Sequence, residues 1–282
     1  MTTTNKEAEV EAALTKGINA GENKDFDSAI IYFTKAIELD PMDAFAYFAY
    51  NGRGIAYSDL KKYPEAIADY TKAIELDPMD ASTYYNRGNA YSNLKKYPVA
   101  IVDFTKAIEL DPKLAAAYYN RGIAYSILEK YHEAIADLTK AIELDPKLAA
   151  AYYNRGNAYS ELEKYPEAIA DFTKAIKLGL TDASVYNNRG NAYRNLEKYA
   201  EAIDDLTQAI KLDPKLAFAY HGRGIAYRKL DKYAEAIADY TKGIKLDPED
   251  ANAYYNRGIA YEALGKTKKA EADFAKFNLL SK

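Results

Sequence analysis

Two residue patterns in this sequence are able to do chemistry, and both recur. Asparagine stands just before an arginine–glycine pair at Asn86, Asn120, Asn154, Asn188 and Asn256. An asparagine amide both donates and accepts hydrogen bonds. A row of them can therefore pair with the peptide groups of an extended chain, whatever side chains that chain carries. Asparagine is also a mediocre helix former. The alternative reading is a row of solvated residues inherited by duplication. The arginines form the second pattern. Arg53/Asp69, Arg87/Asp103, Arg121/Asp137, Arg155/Asp171, Arg189/Asp205, Arg223/Asp239 and Arg257/Asp273 are each 16 residues apart. A partly buried arginine needs a carboxylate partner and hydrogen bonds. These pairs read as structural clamps, with ligand contact by some arginines as the alternative. The rest of the reactive inventory is thin. There are two histidines, His132 and His221, and no cysteine. The acidic residues have no metal-ligand spacing, and no glycine-rich loop follows a strand. No catalytic residue, metal site, cofactor or enzymatic activity is expected.

These residues need helices to position them. Arginine–glycine recurs every 34 residues from Arg53 to Arg257, and a fixed period of this size predicts stacked units. Within 81–114, Tyr84, Gly88 and Tyr91 share one helical face, and Ala100, Phe104 and Ala107 share another. The short turn "LKKYP" separates them, so each unit reads as a hairpin of helix A and helix B. Gly88 is costly inside a helix, and its recurrence predicts close approach of a neighbouring backbone. Proline at 78, 112, 146, 214 and 248 marks the stop of helix B.

Composition narrows the classes. The 282 residues are 49% hydrophobic with a net charge of −4, which argues against a nucleic-acid partner. The start, "MTTTNKEAEVEAAL", has no apolar segment of the secretory type. No run reaches the length of a membrane span. No membrane association and a cytoplasmic location are expected.

Aromatic, glycine, tyrosine, alanine, aromatic, alanine and proline at this spacing resemble the tetratricopeptide repeat over nearly the whole chain. Tyrosine replaces the usual tryptophan at Tyr50, Tyr84, Tyr118, Tyr152, Tyr186, Tyr220 and Tyr254. The resemblance implies an all-α, right-handed superhelical solenoid of eight helix-turn-helix repeats, its A helices lining a concave groove. The units are 7–43, 44–80, 81–114, 115–148, 149–182, 183–216, 217–250 and 251–282, after a flexible tail at 1–6. The first is degenerate, with Lys16 and Tyr32 in place of the arginine and aspartate. The last lacks the further capping helix common in such arrays, leaving Phe277, Leu279 and Leu280 partly covered. Two irregularities stand out. The second unit repeats Phe-Ala-Tyr at 45–50, three residues more than other copies. Those residues add about 4.5 Å to a helix, so a longer helix A is expected. Tolerated slippage and an aromatic lip of Phe45, Tyr47 and Phe48 are the two readings. "KLGLTDAS" at 177–184 replaces the usual Asp-Pro, and Gly179 is expected to form a left-handed C-cap.

Candidate ligand residues follow from position. The residues that differ between copies form one stripe on helix A: Ser82, Tyr85, Asn89, Ser92 and Asn93 in the third unit, and Ser184, Asn187, Asn191, Arg194 and Asn195 in the sixth. In related arrays this stripe faces the groove. Arrays of the O-linked N-acetylglucosamine transferase type hold substrates with an asparagine ladder that the present asparagines match. The expected peptide-binding set is Asn86, Asn120, Asn154, Asn188 and Asn256 with Tyr85, Tyr119, Tyr153, Asn89, Asn157, Asn191, Arg194, His221 and Arg228. The basic residues predict preference for an acidic portion near the sixth and seventh units. The cations with which chaperone-binding members grip a C-terminal carboxylate are absent, so no such tail should bind. The expected function is a non-catalytic scaffold for an extended peptide or protein segment. The alternatives are self-association through the last repeat, or a near-consensus engineered array without a natural ligand.

Overall fold

The structure is a computed structural model that describes residues 3–42 and 44–281; Met1, Thr2, Asp43 and Lys282 lie outside it. Among the described residues there are sixteen α-helices and no strand. They alternate as A and B partners: α1 (Thr3–Glu22) with α2 (Phe26–Leu39), α3 (Ala44–Asp59) with α4 (Tyr63–Leu76), α5 (Ala81–Asn93) with α6 (Tyr97–Leu110), and α7 (Ala115–Ile127) with α8 (Tyr131–Leu144). The series continues as α9 (Ala149–Glu161) with α10 (Tyr165–Lys177), α11 (Ala183–Asn195) with α12 (Tyr199–Leu212), α13 (Ala217–Lys229) with α14 (Tyr233–Leu246), and α15 (Ala251–Ala263) with α16 (Thr267–Leu280). The chain divides into two compact units, the first ending at Asp145 and the second starting at Pro146. Within each, every A helix packs on its own B helix, every B helix packs on the next A helix, and successive A helices touch. Among the described residues the B helices do not touch one another. The A row is therefore the crowded, inner side of each unit.

Local chemistry sets the helix ends. Pro64, Pro98 and Pro166 sit in the first turns of α4, α6 and α10, where a missing N–H costs nothing. At the other end, Asp77, Asp111, Asp213 and Asp247 leave the helix in extended conformation. Each then accepts the N–H two residues on, at 2.9 to 3.2 Å, so the recurring "LDP" is an Asx turn. Gly179 caps α10 with φ of +100°, and the N–H of Leu180 reaches back to the Ala175 carbonyl at 3.1 Å. That is a left-handed C-cap, as the sequence predicts.

The core explains the helix-A glycines and corrects one expectation. A Cβ on Gly88 would lie 2.7 Å from Cε1 of Phe104, and one on Gly122 would lie 2.9 Å from Cγ of Leu138. The close neighbour is the large side chain of the partnering B helix. Backbone comes second, with the Ala134 carbonyl at 3.3 Å from the Gly122 position. Phe104, Leu138, Phe172, Leu206 and Tyr240 are fully buried in these slots.

All seven arginine–aspartate pairs form. Arg87 donates from Nε and Nη2 to the two Asp103 oxygens, both at 2.8 Å. Its third arm, Nη1, reaches Thr71 of the preceding B helix at 3.0 Å. The Tyr84 ring lies 5.7 Å from the guanidinium carbon. One arginine thus ties helix A to its own B helix and to the one before. Burial lowers the Arg87 pKa, but the Asp103 hydrogen bond and charge outweigh it, and the net shift is upward. In the first hairpin, Lys16 lies over the Tyr32 ring at 5.9 Å instead.

The remaining irregular stretches resolve as follows. Helix α3 has 16 residues against 13 in α5, so the three extra residues lengthen the helix. The expected aromatic lip is reduced to one residue. Phe45 packs on the core of the first hairpin, and the Tyr47 hydroxyl donates to Asp80, the N-cap of α5. Burial and that bond push the Tyr47 pKa up to about 12. Only Phe48 projects, 57% exposed. Helix α1 starts at Thr3, inside the stretch expected as a tail, and Lys6 pairs with Asp40 at 2.8 Å. At the other end Phe277 packs at a tilt against Tyr255 with ring centroids 5.0 Å apart, while Leu279 is exposed.

Candidate functional site

Helical spacing brings the ladder asparagines and the variable stripe onto the A row, and the side chains interlock there. Asn120 on α7 donates both amide hydrogens to α5, to the Asn89 carbonyl oxygen at 2.7 Å and the Tyr85 hydroxyl at 3.2 Å. Asn188 on α11 repeats this on α9, reaching Asn157 at 2.9 Å and Tyr153 at 3.2 Å. The ladder is therefore wired rung to rung. Its N–H groups are committed inside the protein, which the sequence reading of freely offered amides did not foresee. Three groups stay open at the first rung: the Asn120 carbonyl, the Asn89 amide N–H groups and the Tyr85 O–H. The tyrosines are held from below, with Tyr85 packed against Phe104 at 6.1 Å and Tyr153 against Phe172 at 6.0 Å.

Each wired rung borders a cavity. One, of about 490 Å³, is lined by Asn89, Ser92, Asn93, Tyr97, Asn120 and Ile123, with Ile127 at its edge. The other, of about 420 Å³, is lined by Asn157, Ser160, Glu161, Tyr165, Asn188 and Asn191, with Asn195 at its edge. Every lining residue of one is 68 residues from its counterpart in the other, so they are the same site in two copies. Their chemistry differs. Ile123 and Ile127 give the first an apolar wall, whereas Asn191, Asn195 and Glu161 make the second polar. Ser92 belongs to the variable stripe, but Tyr97 and Tyr165 were not expected. The two tyrosines open helix B, and only the folded hairpin brings them beside helix A.

Other expected residues fare differently. Asn154 donates to its own helix at the Ala150 carbonyl, 3.0 Å away, and Tyr119 has a partner as well. Asn86 is half-buried and makes no side-chain hydrogen bond among the described residues, because Asn51 and Ile55 replace the tyrosine and asparagine that would receive it. Asn256 donates to the Asn252 carbonyl at 2.9 Å and lies 3.4 Å from His221 Nε2. His221 holds Asp250, the N-cap of α15, through Nδ1 at 2.6 Å, and its ring meets Tyr240 edge-on. That histidine is a strut between hairpins. Arg194 and Arg228 are partly buried, and neither forms an ion pair among the described residues. Burial lowers the Arg194 pKa. Among the described residues no three His, Asp or Glu side chains are grouped to hold a metal ion. No described helix is long and apolar enough to cross a membrane.

Comparison with known proteins agrees with the helical-repeat fold. Family models described as tetratricopeptide repeat match residues 10–42, 81–114, 115–148, 149–179, 183–216 and 251–281. A further model described as TPR repeat matches 54–95 and 224–265. Among solved structures, YrrB, described as a TPR protein with an unusual peptide-binding site, is 30% identical over 63% of this chain and 91% of its own, with a TM-score of 0.57. MamA is 28% identical over 59% of this chain and 91% of its own, with a TM-score of 0.56. The C-terminal part of a TPR repeat-containing protein from Cytophaga hutchinsonii shares the fold at a TM-score of 0.71 and 19% identity, over 86% of this chain and 98% of its own. No curated protein sequence matches the chain.

Proposed function

The chain belongs to the tetratricopeptide repeat family, a protein-interaction fold, and from that premise we propose that it holds an extended protein segment along its A helices as a non-catalytic scaffold. The observation that carries this reading is the duplicated cavity beside a wired rung. The first cavity offers the Asn120 carbonyl and the Asn89 N–H side by side, which is the complement of one peptide group, whereas in the second the Asn188 carbonyl already accepts from Asn187 at 3.1 Å. Asn120 and Asn89 are held by neighbouring side chains, so little freedom is lost when a segment binds. The differing walls supply selection: an apolar residue suits Ile123 and Ile127, and a polar or basic one suits Glu161, Asn191 and Asn195. The peptide-binding site named for YrrB is support by similarity.

Peptide-display selection on the intact protein tests it, beside a variant with Asn120, Asn154 and Asn188 changed to alanine. A shared motif that binds the parent and fails on the folded variant is the expected outcome. Equal binding by both, or no enrichment by the parent, overturns the groove reading. Self-association through the last hairpin is the weaker alternative, because Phe277 already packs against Tyr255 within the hairpin.

A further inference from the structure

A third cavity, of about 210 Å³, lies in the first two hairpins and is lined by residues of α1, α2 and α3. Allowing for the three extra residues of α3, it is the same repeat position as the two cavities beside the wired rungs. Ile18, Gly21 and Phe26 stand where the first of those has Asn89, Ser92 and Tyr97, and Gly52 stands where it has Asn120. The rung is therefore missing, and the walls are apolar. Buried Phe33 forms the inner wall. Ile18 and Ile55 line the cavity while 50% and 42% exposed, so it is open to solvent. Exposed Phe48, two turns before Ile55 on the same face of α3, extends the apolar surface.

The two glycines of this lining have different causes. A Cβ on Gly52 would lie 2.5 Å from Cζ of the Phe33 ring, so packing requires glycine there. A Cβ on Gly21 would meet nothing within 4 Å. Gly21 lies inside α1, where glycine weakens the helix against alanine, and no neighbour demands it. The space that its missing side chain leaves is part of the cavity. Glu22 and Asp59 complete the lining, which carries these two carboxylates and no cation. Both are exposed, and neither forms an ion pair among the described residues.

We propose that this cavity receives one leucine or phenylalanine side chain of an extended segment that carries a lysine or arginine two positions away. An apolar cavity of about 150 Å³ already holds a benzene ring, whereas drug-sized ligands need about 300 Å³ or more. The size therefore suits a single large apolar side chain. On an extended segment, side chains two residues apart share a face. The basic residue then meets Glu22 and Asp59 while its neighbour fills the space beside Gly21. The proposal rests on the peptide reading for the extended form of the ligand. It adds the anchor and the sign of charge at the first two hairpins.

The test is an NMR titration of the isoleucine methyl signals in the intact protein with the blocked peptide Lys-Ala-Leu-Ala-Lys. The peptides Glu-Ala-Leu-Ala-Glu and Lys-Ala-Ala-Ala-Lys are run beside it. The expected result is a saturable shift of Ile18 and Ile55, with Ile203 and Ile210 of α12 unmoved. Loss of the leucine should weaken binding about tenfold or more. Gly21→Leu should fill the cavity and abolish binding while raising the Tm, because leucine is the better helix former. Lost binding in a more stable protein is not unfolding. Glu22→Gln with Asp59→Asn should weaken binding about fivefold, the effect of two exposed ion pairs. A parent titration without saturation, equal binding of the glutamate peptide, or equal saturation at Ile123 and Ile127, whose cavity has no carboxylate, overturns the proposal however the variants behave. Shifts of Ile18 and Ile55 on concentrating the protein alone would make a second copy the occupant and overturn the segment. Saturation at Ile18 and Ile55 alongside a failed peptide selection would sink the groove reading and leave this cavity standing. A selected motif that needs the asparagines but moves neither isoleucine would do the reverse.

Discussion

Asp103 is 5% exposed at its side chain, and it holds the only two carboxylate oxygens that Arg87 contacts. Asp103→Ala leaves a guanidinium partly buried with only Thr71 for company. Removing one member of a buried pair costs about 3 kcal/mol or more, so the unfolding free energy of the variant should fall by that amount, read as a lowered urea midpoint at constant slope. An unchanged midpoint would mean that water reaches Arg87 as easily as the aspartate did. At this scale the sequence was informative about pairs and silent about third partners. The 16-residue interval between arginine and aspartate announced the clamp. Nothing in that interval announced Thr71, whose hydroxyl belongs to the preceding repeat. The ladder shows the same limit. Asn120 was recognisable as an amide on the A row, but its bond to Asn89 depends on how far two A helices stand apart. That separation is set by packing, not by residue type.

The turn between helices A and B is the element where the sequence works against its own geometry. Lys24, Lys61, Lys95, Glu129, Glu163, Glu197 and Asp231 all take the left-handed conformation there, with φ between +56° and +60°. Only the last hairpin uses glycine, Gly265 at φ +67°. A side chain in this region costs about 1–2 kcal/mol, partly offset by the greater freedom that glycine loses on folding. Glu129→Gly should therefore stabilise the fourth hairpin by about 0.5–1 kcal/mol, and Gly265→Ala should destabilise the eighth by about 1 kcal/mol. Thermal melts of the two variants should move in opposite directions; movement in the same direction would refute the turn argument. Reading "LKKYP" as a turn needed only its place between two periodic runs. Reading the strain in it was beyond the sequence, since lysine and glutamate are poor markers of positive φ. By contrast Gly179, where the residue type and the conformation agree, was legible in advance.

At the scale of the whole chain, each compact unit is a file of hairpins in which a hairpin touches only its neighbours. Period and composition made this architecture readable, because 34-residue spacing admits few folds. The division after Asp145 was not readable, since the repeat runs through it without a break in pattern. Nearest-neighbour packing has a mechanical consequence: damage should stay local. Gly156 on α9 offers a clean place to apply it. A Cβ there would lie 2.8 Å from Cε1 of Phe172, and the ring is fully buried with nowhere to move. Gly156→Val adds two further methyl groups to that clash, and overpacking of this kind costs about 1–3 kcal/mol. Native-state hydrogen exchange should then lose protection first in α9 and α10, next in α11, whose Val185 packs in the same cluster as Phe172, and least in α14 to α16. The cavity lined by Asn157 and Asn188 sits on the damaged hairpin, whereas the one lined by Asn89 and Asn120 is built on α5, α6 and α7. If both cavities hold one segment, the variant should keep binding a short peptide selected for the Ile123 and Ile127 wall while losing affinity for a longer one. Uniform loss of protection across every helix would show instead that the array unfolds as a single cooperative body, and the independence of the two sites would fall with it.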